Sequence, residues 1–553
     1  MKANLRSRGD ARMKKKKKLS LGLDLSTQGI SAVVLDIDSQ DRMSEHSLDY
    51  CKDSRLNTFG IGEEDYILPP RTEGEASQPP GMFFASLDAI FTDLKAAINP
   101  EDIVIINNSA QQHGHVYLNH QARSIFHGLT GENSAKSDLV TLLRGSLAYP
   151  LAPIWLTSNT GEEAEFIRKR VGGKERVIAL SGSDVPLRFT GAVMRKIARQ
   201  FPDMYRQTAN IQLLSNLVTA ILTGNSRAPV DHGNACGMSL MDYRRKRWSG
   251  ALVGAVATGL PGGETAFRSK LPSLVAPDAI VGNIAAYFVA KYGFSPACRI
   301  AAGSGDNPQS KVLVSGDLLS LGTSIVNMVS TDGKILDMNG FASAMYDGVG
   351  RPFIFGCRTN GAMVWDRLRA RYGLTKEEYD PAEAALRQTP VGQSLVFWQP
   401  REESFPPSGR IDLVRIGKET PDLGTDYAGL IETTLAAVYH HSKGFTGENT
   451  GSLYVTGGAR NSPEIIRRVA AIWNRPVTPI EEGGASLGAA VAGACAFLKS
   501  EGDTADVEEY IGEGFLKRER PVLPGTEDVL AFHRRGGYLD RFAAEEAKLG
   551  YVS

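Results

Sequence analysis

Two stretches of this chain follow one pattern. A leucine-rich run from Leu19 to Leu25 passes through Ser26, Thr27, Gln28 and Gly29 into the apolar run Ile30 to Leu35. Far downstream, Leu318, Leu319 and Leu321 pass through Gly322, Thr323 and Ser324 into Ile325 to Val329. Each reads as a β-hairpin with a short polar turn. Such a turn presents backbone N–H groups and hydroxyls together, which suits phosphate oxygens. One hairpin alone carries little meaning. Two, each opening its own half of the chain, imply duplicated domains that clamp one nucleotide between them.

A chain of 553 residues exceeds what one hydrophobic core serves, so two large domains are expected. Zero formal net charge disfavours a nucleic-acid or membrane surface, and no apolar stretch is long enough to span a bilayer. Five scattered cysteines with no CxxC pair point to reduced thiols in a cytoplasmic protein. Residues 1–18 carry nine Lys or Arg and one acid, and read as a basic, disordered tail.

Strand-like runs alternate with helical patterns throughout, which argues for an α/β fold. Ile103 to Asn107 reads as a buried strand leading into Gln111-Gln112-His113-Gly114, and Arg299 to Ala302 leads into Gly303-Ser304-Gly305-Asp306-Asn307. Helices are expected over 193–200, 211–222 and 462–473. The Gly/Pro-rich stretch Gly259 to Gly263 suggests a domain boundary, giving domains of 19–262 and 263–553.

No Walker A pattern, HExxH pair or Cys/His metal spacing occurs. Any nucleotide therefore binds by the hairpin route, with Gly457 and Gly458 at a strand end offering close approach to a flat base. The motifs GLDLSTQ (22–28), QQHG (111–114), RFTG (188–191), DHGNACGM (231–238), GDNP (305–308), SLGTS (320–324) and TGGA (456–459) occur in this order over roughly residues 20–495. On them the chain resembles the FGGY carbohydrate kinases, and within them the xylulose kinases. The resemblance implies two actin-like (ribonuclease H-like) ATPase domains with a cleft between them.

It also implies roles. Asp231 would be the general base that takes the proton of the attacking sugar hydroxyl, and Asp24 would organise Mg²⁺ through waters. Ser26, Thr27 and Gln28 would face Gly322, Thr323 and Ser324 across the ATP phosphates. Gly457, Gly458, Ala459, Ser462 and Tyr379 would border the adenosine. His113, Gln112, Arg188, Asp306, Asn307 and Trp155 would contact the sugar. The activity implied is phosphorylation of D-xylulose by ATP, with sugar and nucleotide as the partners and a homodimer left open. Thr157 stands where relatives carry an acid, which keeps another ketose or polyol in play. A catalytically silent sugar binder and a protein-directed ATPase are the remaining alternatives.

Overall fold

The computed structural model describes residues 17–375, 377–417, 421–447, 451–503, 507–512 and 514–550. Most of the basic tail thus lies outside the described residues. The leucines at 19, 21, 23 and 25 alternate with Ser20, Gly22 and Asp24, so strand β1 (Leu19–Leu25) turns leucine to one face and small or polar residues to the other. It pairs antiparallel with β2 (Gly29–Asp36), which pairs with β3 (Arg42–Asp49). On its other side β1 runs parallel to β4 (Ile103–Ala110).

The sheet then takes in β5 (Ile280–Asn283), β6 (Arg299–Ala301) and β7 (Ser304–Gly305), giving the order β5-β6-β4-β1-β2-β3 with β7 also on β4. These strands lie well past Gly263. The expected boundary at 262/263 is therefore misplaced: helix α1 (Asp306–Val312) still follows from the first sheet, and the chain enters the second only with β8 (Leu318–Leu321). A Gly/Pro-rich turn marks a break in local structure, whereas domain membership is decided by pairing with a strand nearly 200 residues earlier.

The second sheet reuses the plan. The hairpin of β8 and β9 (Ile325–Ser330) is extended by β10 (Ser343–Tyr346) and β11 (Pro352–Arg358), and β8 runs parallel to β12 (Leu453–Thr456), followed by β13 (Val477–Pro479). The order is β10-β11-β9-β8-β12-β13. Both expected hairpins are present, and each sits at the centre of its own sheet. The expected helix over 211–222 is corrected to a strand, Thr208–Leu213, followed by a helix, Leu214–Thr223; the apolar run alone could not separate the two periods. Helix α2 (Pro463–Trp473) is capped by Ser462, whose hydroxyl accepts from the Ile465 N–H.

Helix α3 (Gly484–Ser500) comes from the second half yet packs on the first sheet. A Cβ on Gly22 would lie 2.0 Å from the Ser486 carbonyl oxygen, and one on Gly488 would lie 1.9 Å from that of Gln309. The approach is therefore backbone on backbone, fixed by Ser20 Oγ donating to Ala490 O at 2.6 Å and Asn107 Nδ2 donating to Ala489 O at 3.1 Å. Among the described residues no helix is long and apolar enough to cross a membrane. Gly488→Ala is expected to lower stability by about 3 kcal/mol, read by urea denaturation, while Gly458→Ala, whose Cβ meets no atom within 4 Å, leaves it unchanged.

Candidate functional site

The sheet register lines up a polar row at the ends of the first-sheet strands. Asp24 on β1 stands opposite Ser109 on β4, and Ser109 stands opposite Ser304 on β7. Asp24 lies on the strand face that carries Ser20 and Gly22, one step beyond the stretch that α3 covers. Its Oδ1 is buried and has no hydrogen-bond partner. Burial pushes its carboxyl up to about 6.

Asp306 opens α1, with its Oδ1 accepting from the Asn307 N–H at 2.8 Å and from Asn307 Nδ2 at 3.0 Å. Burial, and then the charge of Asp24, push its carboxyl up to about 7. Asn307 Nδ2 also donates to Gln112 Oε1 at 3.0 Å. Neither carboxylate has a Lys or Arg partner among the described ion pairs. The two acids thus leave uncompensated negative charge at one spot. That suits a hydrated cation, and no cluster of three His, Cys, Asp or Glu exists among the described residues to bind one by side chains alone.

His113 follows β4 with φ of +67°, a conformation that a non-glycine residue adopts only when its surroundings impose it. Its Nδ1 lies 2.9 Å from the Gly237 carbonyl and its ring stacks on Phe189, centroids 4.6 Å apart. Burial and the Arg188 guanidinium beside it hold the imidazole down to about 3, so it is neutral. With Nδ1–H spent on a carbonyl, Nε2 is left as an acceptor. Arg188 also acts on Cys357, whose thiol is bonded to Ser324. The guanidinium thus acts electrostatically on His113 in the first half and on Cys357 in the second.

Other expected residues have their side chains already engaged. Ser26 Oγ bonds to the Gly29 carbonyl at 3.0 Å and closes its own turn. Thr27 Oγ1 donates to Gln111 Oε1 at 3.2 Å and accepts from Trp155 Nε1 at 2.8 Å, while Gln78 Nε2 donates to the Thr27 carbonyl. Gln28 is exposed at the tip. Thr157 is buried with its hydroxyl on the Ala76 carbonyl, so nothing stands in for the missing acid there.

Asp231 departs most from expectation. Its side chain is fully buried and caps the short helix His232–Ala235: Oδ2 accepts from the Gly233 N–H at 2.8 Å and from Ser304 Oγ at 2.7 Å, and Oδ1 accepts from the Asn234 N–H at 3.0 Å. Three protein donors already bond this carboxylate, and its side chain has no surface open to solvent. What it does is anchor Ser304, two residues before Asp306. Ser304 stands just before the GDNP motif and has no role in the sequence reading; only the pairing of β7 with β4 gives it one.

In the second half a cavity of about 470 Å³ opens beside the β8–β9 tip. Gly322, Thr323, Tyr379, Gly458, Ala459 and Ser462 line it, with Glu383 as an acid that the sequence pattern did not single out. Glu383 Oε1 accepts from the Glu464 N–H at 3.0 Å and its other oxygen from Ser462 Oγ. Tyr379 is 59% exposed, with the Arg369 guanidinium 4.2 Å from its ring centroid. Gly457 does not line the cavity. Its φ of +88° and a Cβ position 2.6 Å from the Leu321 backbone show that the neighbouring strand, not a bound ring, demands glycine there.

Comparison with known proteins gives a consistent picture. The N-terminal domain model of the FGGY family of carbohydrate kinases matches residues 148–312, and the C-terminal domain model matches residues 318–497. A xylulose kinase of Schizosaccharomyces pombe is 28% identical over 91% of this chain and 93% of its own length. The D-xylulose kinase A of Aspergillus niger is 27% identical over 96% of this chain and 98% of its own. Among solved structures, a ligand-bound xylulose kinase from Lactobacillus acidophilus superposes with a TM-score of 0.78 at 17% identity, covering 96% of this chain and 98% of that one. A gluconate kinase from the same organism gives a TM-score of 0.78 at 16% identity, covering 96% and 98%. These structural likenesses establish the fold and leave the sugar undecided.

Asp231→Ala removes the helix cap and leaves the Ser304 hydroxyl unpaired. It is expected to cost about 2 kcal/mol of stability, measured by urea denaturation, with Asp231→Asn costing less because the amide oxygen still accepts.

Proposed function

Because the chain belongs to the FGGY family of carbohydrate kinases, we propose that it transfers the γ-phosphoryl group of ATP to D-xylulose, giving D-xylulose 5-phosphate. The observation that carries this reading is the cluster of Asp306, Asn307, Gln112, His113 and Arg188 in the crevice, with the ring-sized cavity at Gly458 on the facing domain. Full-length alignment with xylulose kinases supports D-xylulose over other polyols.

Each group has a chemical task. A linear polyol needs several fixed donors and acceptors, and an unpaired hydroxyl is costly, which provides selectivity. Neutral His113 accepts a hydrogen bond from a sugar hydroxyl at Nε2, Asn307 and Gln112 present amide groups, and Arg188 supplies positive charge. The ring of Tyr379 and the open space at Gly458 receive the adenine. Thr323 and the backbone of both hairpin tips face the phosphates, since phosphoryl transfer is served mainly by positioning and by fixed dipoles. Asp24 would hold Mg²⁺ through waters, and when bound the ion neutralises charge on the phosphates.

Asp306 is the proton acceptor in this reading, in place of the expected Asp231. A general base must lie within hydrogen-bond reach of the attacking hydroxyl. The carboxylate of Asp306, bonded from Asn307 and from the Gln112 backbone, sits beside the sugar-binding cluster and is partly accessible, whereas that of Asp231 is enclosed. Closure of the two domains over the bound pair would exclude water and limit wasteful hydrolysis of ATP.

Asp306→Asn is expected to lower kcat by about 10²–10⁴-fold with sugar affinity retained, while Asp231→Asn loses far less. Only the carboxylate form accepts a proton, so kcat/KM should fall as pH drops through about 7. ADP release measured against pentuloses, hexuloses and polyols should show the highest kcat/KM for D-xylulose. A better hexulose, or equal turnover without sugar, would overturn the substrate assignment.

A further inference from the structure

A second cavity, of about 620 Å³, lies outside the crevice and takes no part in the chemistry above. Its lining includes Arg227, Lys246, Arg247 and Arg268 and no carboxylate. Arg268 is paired with Glu264 at 2.7 Å. The other three have no acidic partner among the described ion pairs: Arg227 reaches only the Ser269 and Ala209 carbonyls, both at 3.3 Å, and Lys246 lies 4.3 Å from the Tyr346 ring centroid. Three exposed cations converging on a concave site without a counter-charge favour a dianion, and guanidinium pairs match phosphate geometry.

The floor is built differently. Asn210 and Gln212, two residues apart on the strand Thr208–Leu213, line the cavity, are 3% and 0% exposed, and each has a buried side-chain oxygen without a hydrogen-bond partner. Unmet amide groups of this kind are costly unless a ligand or water satisfies them. Trp248, its Nε1 donating to the Pro272 carbonyl at 2.9 Å, supplies an apolar wall. Charge above, amides below and an aromatic side together suit a phosphorylated molecule that also carries hydroxyls.

The cavity is connected to the catalytic region. Ser273 and Leu274 line it, and the strand Leu274–Val275 pairs in parallel with Val230–Asp231, with the Val230 N–H donating to the Ser273 carbonyl at 2.9 Å. Asp231 in turn holds Ser304, and the chain reaches Asp306 two residues later. Lys246 also acts electrostatically on His232, next to Asp231.

We propose that this cavity binds a hydroxyl-bearing phosphate monoester, a sugar phosphate or a nucleoside monophosphate, and that its occupancy alters the catalytic rate through the paired strands at Asp231. Calorimetric titration of the full chain with D-ribose 5-phosphate, AMP and inorganic phosphate tests it, using wild type, Arg227→Ala/Arg247→Ala and the single Arg247→Ala. Arg247 is exposed and has no partner in an ion pair among the described residues, so its removal leaves the fold intact even where the double variant does not fold. The expected result is binding of a monoester to wild type that weakens about tenfold or more in the variants. The tighter of ribose 5-phosphate and AMP identifies the source. Absence of binding up to about 10 mM, affinity unchanged in Arg247→Ala, or inorganic phosphate binding as tightly as both monoesters would overturn the site. Saturating the tighter monoester should change kcat about twofold or more in wild type and not in Arg247→Ala; an unchanged wild-type rate would overturn the coupling.

Discussion

The contact between helix α3 and the first sheet is the constraint on which the rest of the molecule depends. It runs backbone to backbone, because Gly22 and Gly488 leave no side chain between the strands, α1 and the helix. A helix from one half of the chain thereby becomes a layer of the other half. Ser20 and Asn107 bond to carbonyls in the middle of that helix, where the backbone's own hydrogen bonds leave a second lone pair free. The helix starts over Gly22 and leaves the next residue on that strand face, Asp24, uncovered.

From that joint the polar row follows by register. Strand pairing places Asp24, Ser109 and Ser304 side by side, and Ser304 reaches the enclosed Asp231. Two aspartates in one small region are suited to different roles for a physical reason. Asp231 is given three donors and no access to solvent, so it holds structure. Asp306 has access and a neighbouring like charge that raises its proton affinity, so it is suited to take a proton. Burial pushes both carboxyls up and does not distinguish them; access to solvent does.

How far the sequence could be read depended on the range of the interaction involved. The two hairpins were legible because leucine alternation and polar turns are local, and the crevice motifs were legible because their residue types are unusual in that order. The domain boundary was not, since Arg299–Ala301 belongs to the first sheet only through its pairing with Ile105 and Ile106. The enclosure of Asp231 was not legible for the same reason: the donor Ser304 lies 73 positions away. The backbone of Leu321 was not visible as the reason for glycine at 457, and Glu383 gave no signal because it sits on an otherwise ordinary amphipathic helix.

By itself, the sequence determined the two related lobes, the hairpin at the centre of each, and the set of polar residues available for a sugar and a nucleotide. These are properties of periodicity and residue type over a few neighbours. Tertiary structure alone decided which aspartate is enclosed, where the first domain ends, and which glycines serve packing. It also created the basic cavity beside Trp248, whose cations and amides come from separate segments. Those outcomes depend on which distant groups meet and use up one another's hydrogen bonds, and no local pattern encodes that.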